Sequence, residues 1–252
     1  MRCLWTVAEH GEAVVIAADT CTYGGRELDV FVHAIRWKAY WASRIQPWIK
    51  GEVLEVGAGI GANTALLYHS GVRSWLCLEP DPQLSERLSR TVAELPTCRV
   101  ITGTIASVPQ NRFDCILYID VLEHIEADGD ELAAAANLLQ PGGHLIVLSP
   151  AHQFLYSKFD AAIGHYRRYN KASLRQRSPA NCQLEAIFYL DCVGMFASLA
   201  NRIVLRQSLP TLAQIKTWDD YIIPVSRVLD PLLGYALGKT IVSIFTLSAQ
   251  KA

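Results

Sequence analysis

Short apolar runs alternate along the middle of the chain with stretches in which apolar residues return every three or four positions. The runs at 52–56, 74–78, 98–101, 113–119 and 144–150 read as buried strands. Helical spacing follows at 64–68, 83–92 and 128–139, the last stopped by Gln140-Pro141-Gly142-Gly143. Strand, crossover and strand repeated in this way predict a parallel sheet. Upstream, Leu28, Phe31, Val32, Ile35, Trp37, Tyr40, Trp41, Ile45 and Trp48 predict one amphipathic helix over 26–49, ended by Lys50-Gly51. Tyr23, Trp37, Tyr40 and Trp41 either close over a ligand or pack as core. Residues 1–25 carry only short strand-like runs at 4–7 and 13–17. Downstream, 171–177 reads as a short basic helix, 181–190 as strand six and 238–247 as strand seven.

The first strand leads into Gly57, Gly59 and Gly61, then a helix start, so a tight turn joins strand to helix. Glycines here allow positive φ and let a ligand approach where a Cβ would collide. As G-x-G-x-x-A (Gly57, Gly59, Ala62) the turn also fits a dinucleotide fingerprint. Glu55, two residues before the turn, would put a carboxylate beside such a pyrophosphate and suits a cationic ligand better. Glu79 ends the second strand; in a parallel sheet it stands beside the glycine turn, where it can accept bonds from both hydroxyls of a ribose. Alternatively, it is an acid favoured by the dipole at the start of the next helix.

The segment E-V-G-A-G-I-G at 55–61 resembles the first motif of class I S-adenosylmethionine (SAM) dependent methyltransferases. Asp120-Val121-Leu122-Glu123-His124-Ile125, after strand four, is similar to the corresponding segment of many members. The resemblance implies a Rossmann-like fold: a seven-stranded, mainly parallel sheet between helices, with an antiparallel last strand. It implies SAM as cofactor, held by Glu55, Gly57, Gly59, Gly61, Glu79, Asp120 and His124. Where members often carry an acid for the adenine amino group, this chain has Thr104, so Thr104 or the Ile105 backbone takes that place. An NAD-linked oxidoreductase lacks support, since no Tyr-x-x-x-Lys or comparable arrangement is present. Two other classes stay open: a non-catalytic SAM-binding partner protein, and a rearrangement enzyme using SAM as a bound electrostatic aid.

Residues 151–169, after strand five, hold His152, Tyr156, Lys158, Asp160, His165, Tyr166, Arg167, Arg168 and Tyr169, too dense in hydrogen-bonding groups for a passive connector. H-x-x-L-Y-S-x-F-D and G-H-Y-R-R-Y in these places resemble a subgroup of bacterial methyltransferases, which implies small-molecule or lipid-like acceptors. His165 is the first candidate for a general base and His152 the second, with Tyr156 beside them. Arg167, Arg168 and Tyr169 are candidates for binding an anionic part of the substrate; equally, one arginine pairs with Asp160 to brace the loop.

Composition narrows the classes further. The 252 residues carry a formal charge of −1 from 23 basic and 24 acidic side chains, which gives no pointer to nucleic acid. Seven cysteines form no C-x-x-C pair and read as reduced core residues of a cytoplasmic protein, and no metal is expected. The N-terminal stretch is broken by Glu9, His10 and Glu12, which argues against a signal peptide, and no uncharged apolar run is long enough to span a bilayer. The expected organisation is an N-terminal segment, 1–50, covering the cofactor; a core formed by 51–190 and 238–252; and a helical cap, 191–237, between strands six and seven. In the cap, Val193, Met195, Phe196, Leu199, Ile203 and Val204 follow helical steps. That cap is expected to make the substrate site apolar and to be removable without loss of SAM binding. The competing readings are a homodimer surface and a membrane-surface helix, the latter disfavoured because Arg202, Arg206, Lys216 and Arg227 are scattered.

Overall fold

The computed structural model of the protein describes residues 26–108, 112–204 and 210–248. The strand-like runs at 4–7 and 13–17 and the aromatic Tyr23 lie outside the described residues, as do Arg206 and the side chains of Arg202, Ile203 and Val204. In chain order the elements are α1 (Arg26–Phe31), α2 (Ile35–Ile45), β1 (Gly51–Val56), α3 (Ala62–Leu67), β2 (Val72–Glu79), α4 (Pro82–Thr91), β3 (Cys98–Thr102), β4 (Phe113–Ile119), α5 (Asp128–Asn137) and β5 (Leu139–Pro150). There follow α6 (Lys158–Ala162), α7 (Lys171–Gln176), β6 (Cys182–Leu190), α8 (Cys192–Val204), α9 (Leu212–Thr217), α10 (Ile223–Leu232) and β7 (Thr240–Leu247).

Among the described residues one sheet of seven strands runs β3-β2-β1-β4-β5-β7-β6. Its first five strands are parallel; β7 runs antiparallel to both β5 and β6. Both faces are covered, which is why the strands read as continuous apolar runs. Ile116 and Tyr118 join Leu54, Leu132 and Phe245 on one face; Leu117 joins Trp41, Val53, Cys77 and Ile244 on the other.

The single helix expected over 26–49 is two helices and a 3-10 turn, Gln46–Trp48, with the chain bending at 32–34. Apolar spacing continues across that bend because α1 lays Val30 and Phe31, partly buried, against the same core that α2 enters. Gln140-Pro141-Gly142-Gly143 is also not the end of α5. That helix stops at Asn137, and the segment is an excursion within β5, whose register passes from Phe113↔Leu139 to Cys115↔His144. Gly142 supplies the positive φ of 77° that this requires.

The connection between β6 and β7, residues 191–239, folds back over α2 in its described part. Trp218 packs against Trp37 with ring centroids 5.6 Å apart, and the Lys239 ammonium sits 3.7 Å from the Trp218 ring centre. Asp219 accepts from the backbone N–H groups of Arg36 and Trp37, acting as the missing cap at the α2 N-terminus. Ile215, Trp218 and Ile223 are buried there, whereas Tyr221, Val225, Val228 and Leu232 face solvent. The described part of the insertion therefore buries one side against α2, while α8 also meets the turn Gln153–Leu155 of the segment after β5.

Candidate functional site

Strand order reverses between β1 and β4, and the loops leaving β1, β2 and β4 converge at that switch point. They enclose a cavity lined by Gly57, Gly59, Glu79, Asp81, Asp120 and His124, and walled on another side by Leu28, Phe31, Val32 and Lys38 from α1 and α2. Ile163 and Gly164 close the end beside His124.

Gly57 has φ of 68°, and a Cβ on it would stand 2.6 Å from the Val121 side chain. Gly59, with φ of 57°, donates its N–H to Glu79 Oε2 at 2.8 Å. Glu79 Oε1 accepts from Asp81 N–H at 3.0 Å, so one carboxylate ties the β1 turn to the β2 turn. Burial raises the Glu79 pKa to about 7, against the pull of those two backbone bonds. The start of α4 belongs to Asp81, which accepts from Gln83 and Leu84 N–H, and not to Glu79.

Asp120 takes a left-handed φ of 55°, a conformation aspartate tolerates. Its side chain is open to the cavity but otherwise enclosed by protein, and this burial raises its pKa to about 6, opposed by Lys38, Lys239 and Arg168. Lys38 shares the wall; burial lowers its pKa while Asp120 and Glu55 hold it up. The cavity thus sets one cation, Lys38, near Asp120, beside a glycine turn already held by Glu79. Such a pair suits a zwitterion better than a pyrophosphate.

The methyltransferase domain model (Methyltransf_23) matches residues 35–184. The chain belongs to this methyltransferase family. It is 31% identical over 103 residues to the demethylmenaquinone methyltransferase of Tropheryma whipplei (strain Twist), a stretch covering 40% of this chain and 42% of that protein. The match thus spans less than half the length of the curated relatives it aligns with. A chain of the complex between the Haloferax volcanii Trm112 methyltransferase activator and the putative methyltransferase superposes with TM-score 0.61 at 16% identity, over 89% of this chain and 95% of that one. The N-methyltransferase NodS of Bradyrhizobium japonicum WM9, in complex with S-adenosyl-L-homocysteine (SAH), gives TM-score 0.53 at 13% identity, over 86% and 87% of the two chains. The sheet order and these superpositions are those of the class I methyltransferase fold.

Several residues singled out from sequence lie elsewhere in the methyltransferase. Glu55 is buried off the cavity wall and accepts from Thr64 Oγ1 at 2.6 Å and Trp75 Nε1 at 3.1 Å. Gly61 begins α3, and a Cβ there would meet Leu88 at 2.9 Å, so it serves packing of α3 on α4. Thr104 caps the short turn Ile105–Ser107, and neither Thr104 nor Ile105 lines the cavity. His152 is stacked between Phe154 and Tyr189, away from the wall. His165 lies behind His124, its ring edge-on at 4.5 Å, and the Tyr156 hydroxyl donates to its carbonyl. Arg167 pairs with Asp128; Arg168 forms two bonds to Asp160; the buried Tyr169 hydroxyl donates to Asp128 and the Leu122 carbonyl. The arginines brace the loop. Sequence reasoning missed Lys38, whose only signal was a single lysine among the aromatic residues of α2.

Burial also raises the Glu55 pKa to about 7, opposed by Thr64, Trp75 and Lys38. A folded pKa above the unfolded one gives stability that is present below about 4.5 and lost as pH rises through about 7. Glu55→Gln should remove that slope, worth up to roughly 3 kcal/mol at about 1.4 kcal/mol per unit. Urea unfolding of the ligand-free protein at acid and neutral pH measures it; an unaltered slope in the variant would assign the titration elsewhere.

Proposed function

We propose that this methyltransferase acts on a small or lipid-like molecule, transferring the methyl group to its oxygen, nitrogen or carbon at the His124 end of the cavity. The supporting observation is the division of the wall. A polar side is formed by Gly57, Gly59, Glu79, Asp81, Asp120 and Lys38, and an apolar side by Leu28, Phe31, Val32 and Ile163. In this reading Glu79 accepts the ribose hydroxyls, and Pro80, Asp81 and Leu84 flank the adenine in place of Thr104 and Ile105. Asp120 faces the positive charge of the methionine end and Lys38 its carboxylate; Gly57 and Gly59 permit close approach.

SAM supplies an already activated methyl group, so the chain's own residues have mainly to hold and orient; positioning alone can contribute about 7–11 kcal/mol. His124 is the imidazole on the wall. Burial and the neighbouring His165 push its pKa down to about 3, so it stays neutral and offers hydrogen bonds to the acceptor. His165, off the wall, positions that ring.

Incubation with SAM and a panel of amphipathic alcohols, amines and phenols, reading SAH release, tests the reading. Val32→Asp should raise KM for an apolar acceptor about 10-fold with SAH affinity retained, the pattern of lost ground-state binding. No acceptor-dependent SAH from any panel member, or an unmoved KM in the variant, would refute the acceptor assignment.

A further inference from the structure

Glu123 and His124, in the turn Leu122–His124 after β4, meet His165 from the loop after α6. One possible ligand atom from each lies within 4.8 Å of the other two. Glu123 is fully buried, and its carboxylate oxygens have only their own backbone N–H and the Ser149 hydroxyl nearby, neither in good hydrogen-bond geometry. A buried carboxyl in that state is costly unless something else satisfies it.

His165 shows what is missing. Its Nδ1 is 2.9 Å from Asp160 Oδ1. Asp160 already accepts from Ser157 N–H and hydroxyl and twice from Arg168, so it serves as an acceptor and Nδ1 must donate. The other ring nitrogen, Nε2, stands 3.8 Å from Glu123 Oε1. That separation is too long for a hydrogen bond and short enough for a shared cation. A carboxylate behind a histidine whose other nitrogen faces outward is also the usual support for a metal-bound imidazole.

We propose that Glu123, His124 and His165 form a binding site for one divalent transition-metal ion, with Asp160 orienting His165. Two imidazoles and one carboxylate suit zinc, cobalt, iron or manganese. Ligands about 2.05 Å from a tetrahedral ion lie about 3.3 Å apart, so the 3.8 Å pair is nearly in place and the set, within 4.8 Å, needs only small side-chain shifts. The charge of Arg168 is answered by its two bonds to Asp160. The proposal departs from the expectation from sequence that no metal is bound, which came from cysteine spacing alone. An ion here would face the end of the cavity assigned to the acceptor. That consequence rests on the acceptor reading; the binding itself does not.

The full chain, stripped with a chelator, is titrated with Co²⁺ while SAH binding is followed in parallel. One equivalent should bind with visible ligand-field bands and be displaced by Zn²⁺. Asp160→Asn should weaken it about 10–100-fold, the usual cost of losing a supporting partner, and Glu123→Gln by at least as much. Wild-type protein that binds SAH but shows no saturable Co²⁺ binding overturns the site, leaving Glu123 a buried neutral acid. So does Co²⁺ affinity unchanged in both variants while they still bind SAH, since the ion would then sit elsewhere. Failure to bind SAH would count instead against the cofactor pocket.

Discussion

Glu79→Ala is expected to weaken SAH binding about 10²-fold or more. A hydrogen bond to a charged group contributes about 1.5–3 kcal/mol, and the ribose offers two. The variant also frees the N–H groups of Gly59 and Asp81, which the carboxylate now holds at 2.8 and 3.0 Å, so the turn that frames the cavity loosens as well. The proton inventory gives a sharper signature. Glu79 has its pKa raised to about 7 in the ligand-free protein, and two hydroxyl donors would favour its charged form. Binding below about pH 7 should therefore release a proton, and affinity should rise with pH until that value is passed. Glu79→Gln, which keeps the shape and one acceptor, should bind with intermediate strength and lose the pH dependence. Calorimetry in buffers of different ionisation enthalpy reads both quantities. Equal affinity in Glu79→Ala and wild type would leave the carboxylate only its bonds to Gly59 and Asp81.

Much of this site is legible in the sequence because strand ends and turn chemistry are local. Apolar runs locate β1 to β5, a parallel sheet follows from their crossovers, and the glycine turn, Glu79, Asp120 and His124 then fall together at one edge. What sequence could not separate was chemistry from bracing. Arg167, Arg168 and Tyr169 have the composition of a substrate clamp, but their partners Asp128 and Asp160 are set by tertiary packing. Glu55 suits a cation on charge grounds, yet Thr64 and Trp75 take its carboxylate inside the fold. The helix-start role considered for Glu79 went to Asp81, two residues on, a difference below the resolution of spacing arguments. Lys38 stayed hidden because a lone lysine on an aromatic helix gives no motif.

The same limit explains the insertion, and it sets the largest stability effect expected. Asp230 is wholly buried and accepts from Tyr40 hydroxyl at 2.8 Å, Asp191 N–H at 2.7 Å and Cys192 N–H at 2.9 Å. It therefore joins α10 to α2 and to the chain entering α8. Burial and this carboxylate raise the Tyr40 pKa, which keeps the phenol a donor. Asp230→Ala leaves three donors without an acceptor, each costing about 1–3 kcal/mol, and a total of about 3–5 kcal/mol is expected after relaxation. For a domain of this size that is a fall in Tm of about 10–15 °C. Tyr40→Phe, which removes one donor and leaves the two backbone bonds, should cost about 1 kcal/mol. Because α2 also carries Lys38, SAH affinity of the folded Asp230→Ala protein should drop with the loosening of that wall. Deleting the whole insertion should do more: it strips Trp218, Asp219, Ile223 and Asp230 from α2 and exposes Trp37, Tyr40 and Trp41, so the protein should fail to hold SAH instead of merely losing its acceptor. Thermal melts with and without SAH decide it. A truncated chain that melts and binds SAH as wild type does would show that α2 is held by the sheet alone.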